Sequence, residues 1–194
     1  MSKPWWSRAR TCTSAGIYPD AAGIPEADHI AKWNGSTWSA LGSNGPGSGA
    51  INSDVVALAV SGGNLYVGGG FTHAAGILAA DCVAEWNGTA WSALGSNGAG
   101  DGAIGHFYSV SALAVSGSNL YVGGQFINAA GISTADNIAE WNGTAWSGLG
   151  TGMTLLVPWR LTATTMSLSP AIPPTARVVM TTPPEMDPII RTSS

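Results

Sequence analysis

Charge is scarce in this chain of 194 residues. Asp, Glu, Lys and Arg make up only 9% of it, against about 25% in an ordinary soluble domain. The charges sum to −4, which excludes a strongly basic nucleic-acid binder. Long apolar runs are missing too: no stretch of about 20 apolar residues exists, so the sequence offers no membrane-spanning helix. Cysteine is nearly absent. Cys12 and Cys82 are too few for a disulfide framework, and no CxxC or Cys–His spacing makes a zinc motif. Met1 to Arg10 sets Lys3, Arg8 and Arg10 around Trp5 and Trp6 and lacks the apolar stretch of a secretory signal. No segment carries a sustained helical period of apolar residues.

What is present is unevenly spread. Hydrophobic residues reach 45%, enough for a packed core rather than a disordered chain. Between Asp20 and Gly150 the only base is Lys32, set against nine acids. After Gly150 the composition changes: one Gly remains, Gly152, while seven of the eleven Pro and four of the five Met gather there. The middle is of one kind and the ends of another.

The middle is a repeat. Ala21-Ala-Gly-Ile returns at Ala74 and at Ala129, steps of 53 and 55 residues. Ile30 to Gly42 (Ile-Ala-Lys-Trp-Asn-Gly-Ser-Thr-Trp-Ser-Ala-Leu-Gly) returns as Val83 to Gly95 and Ile138 to Gly150. Ala57 to Gly69 returns as Ala112 to Gly124. Each unit reads as two hairpins. In one, Asn-Gly at 34–35, 87–88 and 142–143 predicts a two-residue type I′ turn, which needs positive φ at both central residues. That turn sets Trp33 opposite Ser36, and alternation puts Trp33 and Trp38 on one face. The same holds for Trp86 with Trp91 and Trp141 with Trp146. In the other, alternating apolar residues from Val56 to Val60 and from Leu65 to Val67 flank Ser-Gly-Gly-Asn. Four strands per unit, each with a flat indole face, suit stacking of one sheet on the next, and small Ala and Gly residues allow close approach.

Leu-Tyr-Val-Gly-Gly (65–69 and 120–124), Phe71 and Phe126, and Ile/Val-Ala-x-Trp-Asn-Gly-x-x-Trp, at a period near 50, resemble the kelch and galactose-oxidase type of β-propeller and related repeats of bacterial surface proteins. The resemblance covers roughly residues 14–150. It implies an all-β fold: an incomplete propeller with two full four-stranded antiparallel blades, about 55–95 and 110–150, plus part of a third. The Tyr, His and cross-linked Cys that hold copper in galactose oxidase-like enzymes have no counterpart here, so no copper activity is implied.

The flanks, residues 1–13 and 151–194, are expected to be irregular. They have two readings. One is ordinary flexible tails. The other is the same repeat in a shifted reading frame. Trp is encoded by TGG alone, so a shifted Trp5 becomes Leu, Met or Val, and Thr13 after Cys12 becomes Tyr or His. From Pro4 to Ala15 the shifted codons permit Ala-Leu-Val-Val-Ser-Gly-Ser-Asn-Leu-Tyr-Val-Gly. This differs from Ala112 to Gly123 at one position. Beyond about residue 155 the match is partial. On the second reading these ends carry no evolved function.

No residue set stands out as a reactive centre. His29, His73 and His106 fall at unrelated repeat positions. His29 is replaced by Cys82 and Asn137 in the other copies, which reads as a solvent-facing position. Asp28, Asp81 and Asp136 recur after Ala in every unit; a residue present in all copies reads as a turn cap rather than an asymmetric catalyst. Gly42 to Gly49 and Gly95 to Gly102 lack the Lys of a phosphate loop and read as flexible connections. Asp101-Gly102 lacks the further ligands of a calcium loop. Asn34, Asn87 and Asn142 head Asn-Gly-Ser/Thr, formally glycosylation acceptors. The Trp pairs suit sheet packing more than sugar stacking.

The expectation is therefore a non-enzymatic repeat segment without cofactor or metal. It would act as a scaffold or recognise a protein or glycan, within a larger, extracellular or cell-surface parent. The alternatives are a piece of a carbohydrate-active propeller enzyme and a Trp-based lectin. An incomplete ring would expose an apolar face at each end, so either the chain is a piece of a longer protein or copies associate through those faces; three copies of two complete blades would make a ring of six, which out-of-frame tails would hinder.

Overall fold

The computed structural model describes residues 12–16, 20–105 and 107–150. The end segments set apart by composition lie outside these, except for Cys12 and Thr13. The described chain is all-β, with three antiparallel sheets, none of them closed on itself. The first joins β1 (Cys12–Ala15), β2 (Ile30–Trp33) and β3 (Trp38–Ser39) in that order. The second runs β4 (Val55–Ser61), β5 (Asn64–Gly69), β6 (Val83–Trp86) and β7 (Trp91–Ala93). The third repeats it with β8 (Ser109–Ser116), β9 (Asn119–Gln125), β10 (Ile138–Trp141) and β11 (Trp146–Gly148). Each four-stranded sheet is a simple meander, as the two-hairpin pattern predicts.

Among the described residues no helix is long and apolar enough to cross a membrane. The only helical pieces there are single 3-10 turns at Ala21–Gly23, Ala74–Gly76 and Ala129–Gly131.

The Asn-Gly turns differ from expectation. Trp33 pairs with Trp38, Trp86 with Trp91 and Trp141 with Trp146, so four residues, not two, close each hairpin. Only the Gly has positive φ; Gly35 is at 104°. The Asn instead serves through its side chain. Asn34 Oδ1 accepts the backbone N–H groups of Ser36 and Thr37, each at 2.9 Å, and the arrangement repeats at Asn87 and Asn142. An Asx turn meets the same demand for a reversal without forcing Asn itself into the left-handed region. The two indoles still share one face. The tight two-residue turn is at Gly62-Gly63, between paired Ser61 and Asn64, with φ of 58° and 92°.

The first sheet begins inside the segment expected to be irregular. Cys12, Thr13, Ser14 and Ala15 pair with Trp33, Lys32, Ala31 and Ile30. Leu65, Tyr66, Val67 and Gly68 pair with Trp86, Glu85, Ala84 and Val83 in the same register. Gly16 N donates to His29 O as Gly69 N does to Cys82 O and Gly124 N to Asn137 O. β1 thus occupies the place of Leu-Tyr-Val-Gly, the four residues that the shifted frame assigns to it. The rest of the frame comparison lies outside the described residues.

The core lies between successive sheets. Leu41, Ile51, Val67 and Phe71 fill one cluster; Leu94, Ile104, Val110, Val122 and Phe126 fill the other, all at 2% exposure or less. Close approach explains one Gly directly. A Cβ on Gly68 would lie 2.5 Å from Val110 Cγ1, so β8 rests on bare β5 backbone.

Candidate functional site

The arrangement built most consistently is a joint between neighbouring sheets. After the last strand of a sheet, the chain runs Leu-Gly and leaves the edge. Gly42 and Gly95 adopt φ of 83° and 78°, which favours glycine. The Trp pair of the next sheet lies on this step. A Cβ on Gly42 would meet Trp91 Cδ1 and Nε1 at 3.2 Å, and one on Gly95 would meet Trp146 at 3.5 Å. Trp91 Nε1 donates to the Leu41 carbonyl, and Trp146 Nε1 to the Leu94 carbonyl. Within each pair the rings are tilted against one another with centroids 5.4–5.6 Å apart, a favourable aromatic geometry.

A second contact repeats beside the first. Ala75 N donates to Ala50 O and Ala130 N to Ala103 O, both at 2.7 Å. Ala22, Ala75 and Ala130 are held at φ of 56°, 51° and 53°. Left-handed backbone at Ala costs about 1–2 kcal/mol. In the second and third units the strained residue is the one whose N–H reaches across.

The recurring Asp residues anchor this geometry. Asp81 is fully buried, and its carboxylate accepts from His73 N at 2.8 Å and Gly102 N at 3.3 Å. Asp28 accepts from Asp20 N and Gly49 N, and Asp136 from Asn128 N. The Gly49 N–H, ahead of the other groups, holds the Asp28 carboxyl below its ordinary value. Each Asp therefore ties the 3-10 turn of its unit, and the first two also tie the Gly-rich segment that follows. Those segments are not loose connections: Ser43 bridges Gly49, Ser96 bridges Gly102, and Asn44 N donates to Ser48 O.

The position shared by His29, Cys82 and Asn137 is not a solvent-facing one. All three have positive φ, 58° to 61°, a conformation to which Asn and His are suited. Cys82 is fully buried, and its thiol donates to the carbonyls of Gly105 and Tyr108 in the next unit. Burial, then the nearby Asp81 carboxylate, pushes the thiol pKa up to about 12. His73 is exposed, with Nε2 3.9 Å from Asp81 Oδ1. His106 lies outside the described residues. Among the described residues no three His, Cys, Asp or Glu gather as a metal set. The Trp pairs divide by place: Trp91 and Trp146 are each 8% exposed, whereas Trp38 is 36% exposed.

One groove of about 410 Å³ opens on the third sheet, lined by Tyr108, Phe126, Ile127 and Asn137 among others. Asn137 is the counterpart of Cys82, which in the preceding joint is covered by the next unit. No family model, curated protein or solved structure matches this chain.

Proposed function

We propose that residues 12–150 are an array of β-propeller blades, of the kelch-like kind that the repeat resembles, acting as a non-enzymatic scaffold that presents a surface to a protein or glycan ligand. The observation that carries this reading is the repeated joint: the same Trp-to-Leu carbonyl contact binds the first sheet to the second and the second to the third. A chain whose distinctive residues are spent on joining sheets is built to hold a shape. The polar groups that recur, Asp28, Asp81 and Asp136, are engaged with backbone N–H groups at every copy, which suits structure better than turnover.

A Trp-based lectin is the second reading, and the exposure of Trp38 favours placing it there rather than on Trp91. The test is a glycan array run with a turnover screen for hydrolase, lyase and oxidase activity on the same preparation. The scaffold reading expects no turnover. Turnover by the purified chain contradicts it, and sugar-dependent quenching of Trp fluorescence that is lost in Trp38→Ala selects the lectin.

A further inference from the structure

We propose that copies of this chain join head to tail through a third instance of the joint, the Trp33–Trp38 pair of one copy seating on Leu149-Gly150 of another. The inference rests on the array reading above and identifies its partner as a second copy.

Both halves are preformed. At the head, Trp33 and Trp38 hold the tilt and spacing of the two seated pairs, 5.4 Å and 49°, against 5.5 Å and 49° for Trp86–Trp91. Yet Trp38 is 36% exposed where Trp91 and Trp146 are 8% exposed. No carbonyl among the described residues accepts from its indole. Ala22 N–H, placed as Ala75 and Ala130, likewise has no acceptor among the described residues.

At the tail, Gly150 adopts φ of 68°, close to Gly42 and Gly95. A Cβ there would meet nothing within 4 Å, where one on Gly42 or Gly95 meets an indole. Leu149 is half-buried, whereas Leu41 and Leu94 are 2% exposed. Asn137 lines the groove on the third sheet, at the position that Gly105 and Tyr108 cover at Cys82 in the preceding joint. The seats at Leu41 and Leu94 show what such a seat takes, and each copy carries the same kind of occupant at its own head.

The contact joins two different surfaces, so it is heterologous, and it closes only if the rotation per sheet returns on itself. Each chain holds two four-stranded sheets and, among the described residues, a third sheet of three strands. Two copies therefore bring six sheets, and closing the ring adds two joints to the two inside each chain, within the range of closed propellers. A dimer, not the trimer that two blades per chain imply, is the expected species.

The test is sedimentation velocity on the full chain across a dilution series, with circular dichroism on the same samples. The expected result is a reversible species of twice the 19.6 kDa chain mass. Trp38→Ala should weaken it by more than about tenfold. Gly150→Asn should do the same without harming the fold, because Asn tolerates the left-handed region and no described residue lies within 4 Å of a Cβ there. Mixing the two variants should recover a one-to-one pair held by a single joint, the head of one on the tail of the other, tighter than either variant alone and weaker than the native pair. A folded chain that stays monomeric at every concentration overturns the inference and leaves the array reading standing. So does association that survives both substitutions. Loss of the array reading would show separately, as indifference of the fold to Trp91→Phe.

Discussion

Cys82 illustrates how a single position acquires its chemistry from the next repeat. Its left-handed backbone would be filled as well by the His29 or Asn137 of the other copies, and only the cover supplied by Gly105 and Tyr108 makes it a buried thiol. Its raised pKa favours the neutral form in the folded chain. That contribution to stability is fully present below the ordinary thiol value of 9.0 and is lost as the pH rises from there toward about 12. Denaturant titrations from neutral pH to pH 11 should therefore show the native chain losing stability more steeply than Cys82→Ala above pH 9, by up to about 1.4 kcal/mol per pH unit. Equal slopes would show that Cys82 titrates as an ordinary thiol. The repeat alignment alone misread this position because His, Cys and Asn share no polarity; what they share is tolerance of one backbone conformation and of one place in the joint. The Asn of each Asn-Gly pair was legible as a turn residue for a sound reason, but its side-chain acceptor, not its backbone, does the turning.

At the scale of the strand, β1 stands apart. Cys-Thr-Ser-Ala is a weaker strand sequence than Leu-Tyr-Val-Gly, yet it takes the same register against β2 that Leu65–Gly68 takes against β6. The neighbouring strand and the Gly16–His29 hydrogen bond dictate the pairing, and tertiary context outweighs the local preference. Ser14 is half-buried at the place where Val67 is fully buried. Replacing residues 12–15 by Leu-Tyr-Val-Gly should stabilise the chain by about 1–2 kcal/mol through added apolar burial and strand preference, read as a rise in the thermal midpoint. A fall would mean that β1 does not share the environment of β5 and β9. The strands of the second and third sheets were legible because alternation, Gly-Gly turns and repetition agree. The own residues of β1 carry none of those signals; only the shifted frame, which reads 12–15 as Leu-Tyr-Val-Gly, marked its place.

At the scale of the whole molecule, the sheets form a series linked by one joint used twice. Half of that joint was visible in the sequence as paired indoles at a fixed spacing. The other half is the carbonyl of Leu41 or Leu94, a backbone group that no residue pattern marks. Its position depends on the left-handed Gly that follows it, and Gly residues abound here for other reasons. Removing a seated indole N–H leaves that carbonyl unpaired in a dry contact, at a cost of about 1–3 kcal/mol. The most direct measurement is the unfolding free energy of Trp38→Phe, Trp91→Phe and Trp146→Phe, compared in dilute solution where copies are apart. The account predicts a loss of about 1–3 kcal/mol for Trp91→Phe and for Trp146→Phe, and less than about 0.5 kcal/mol for the exposed Trp38→Phe. Equal effects at all three positions, or none at Trp91 and Trp146, would contradict the claim that this joint holds the sheets together.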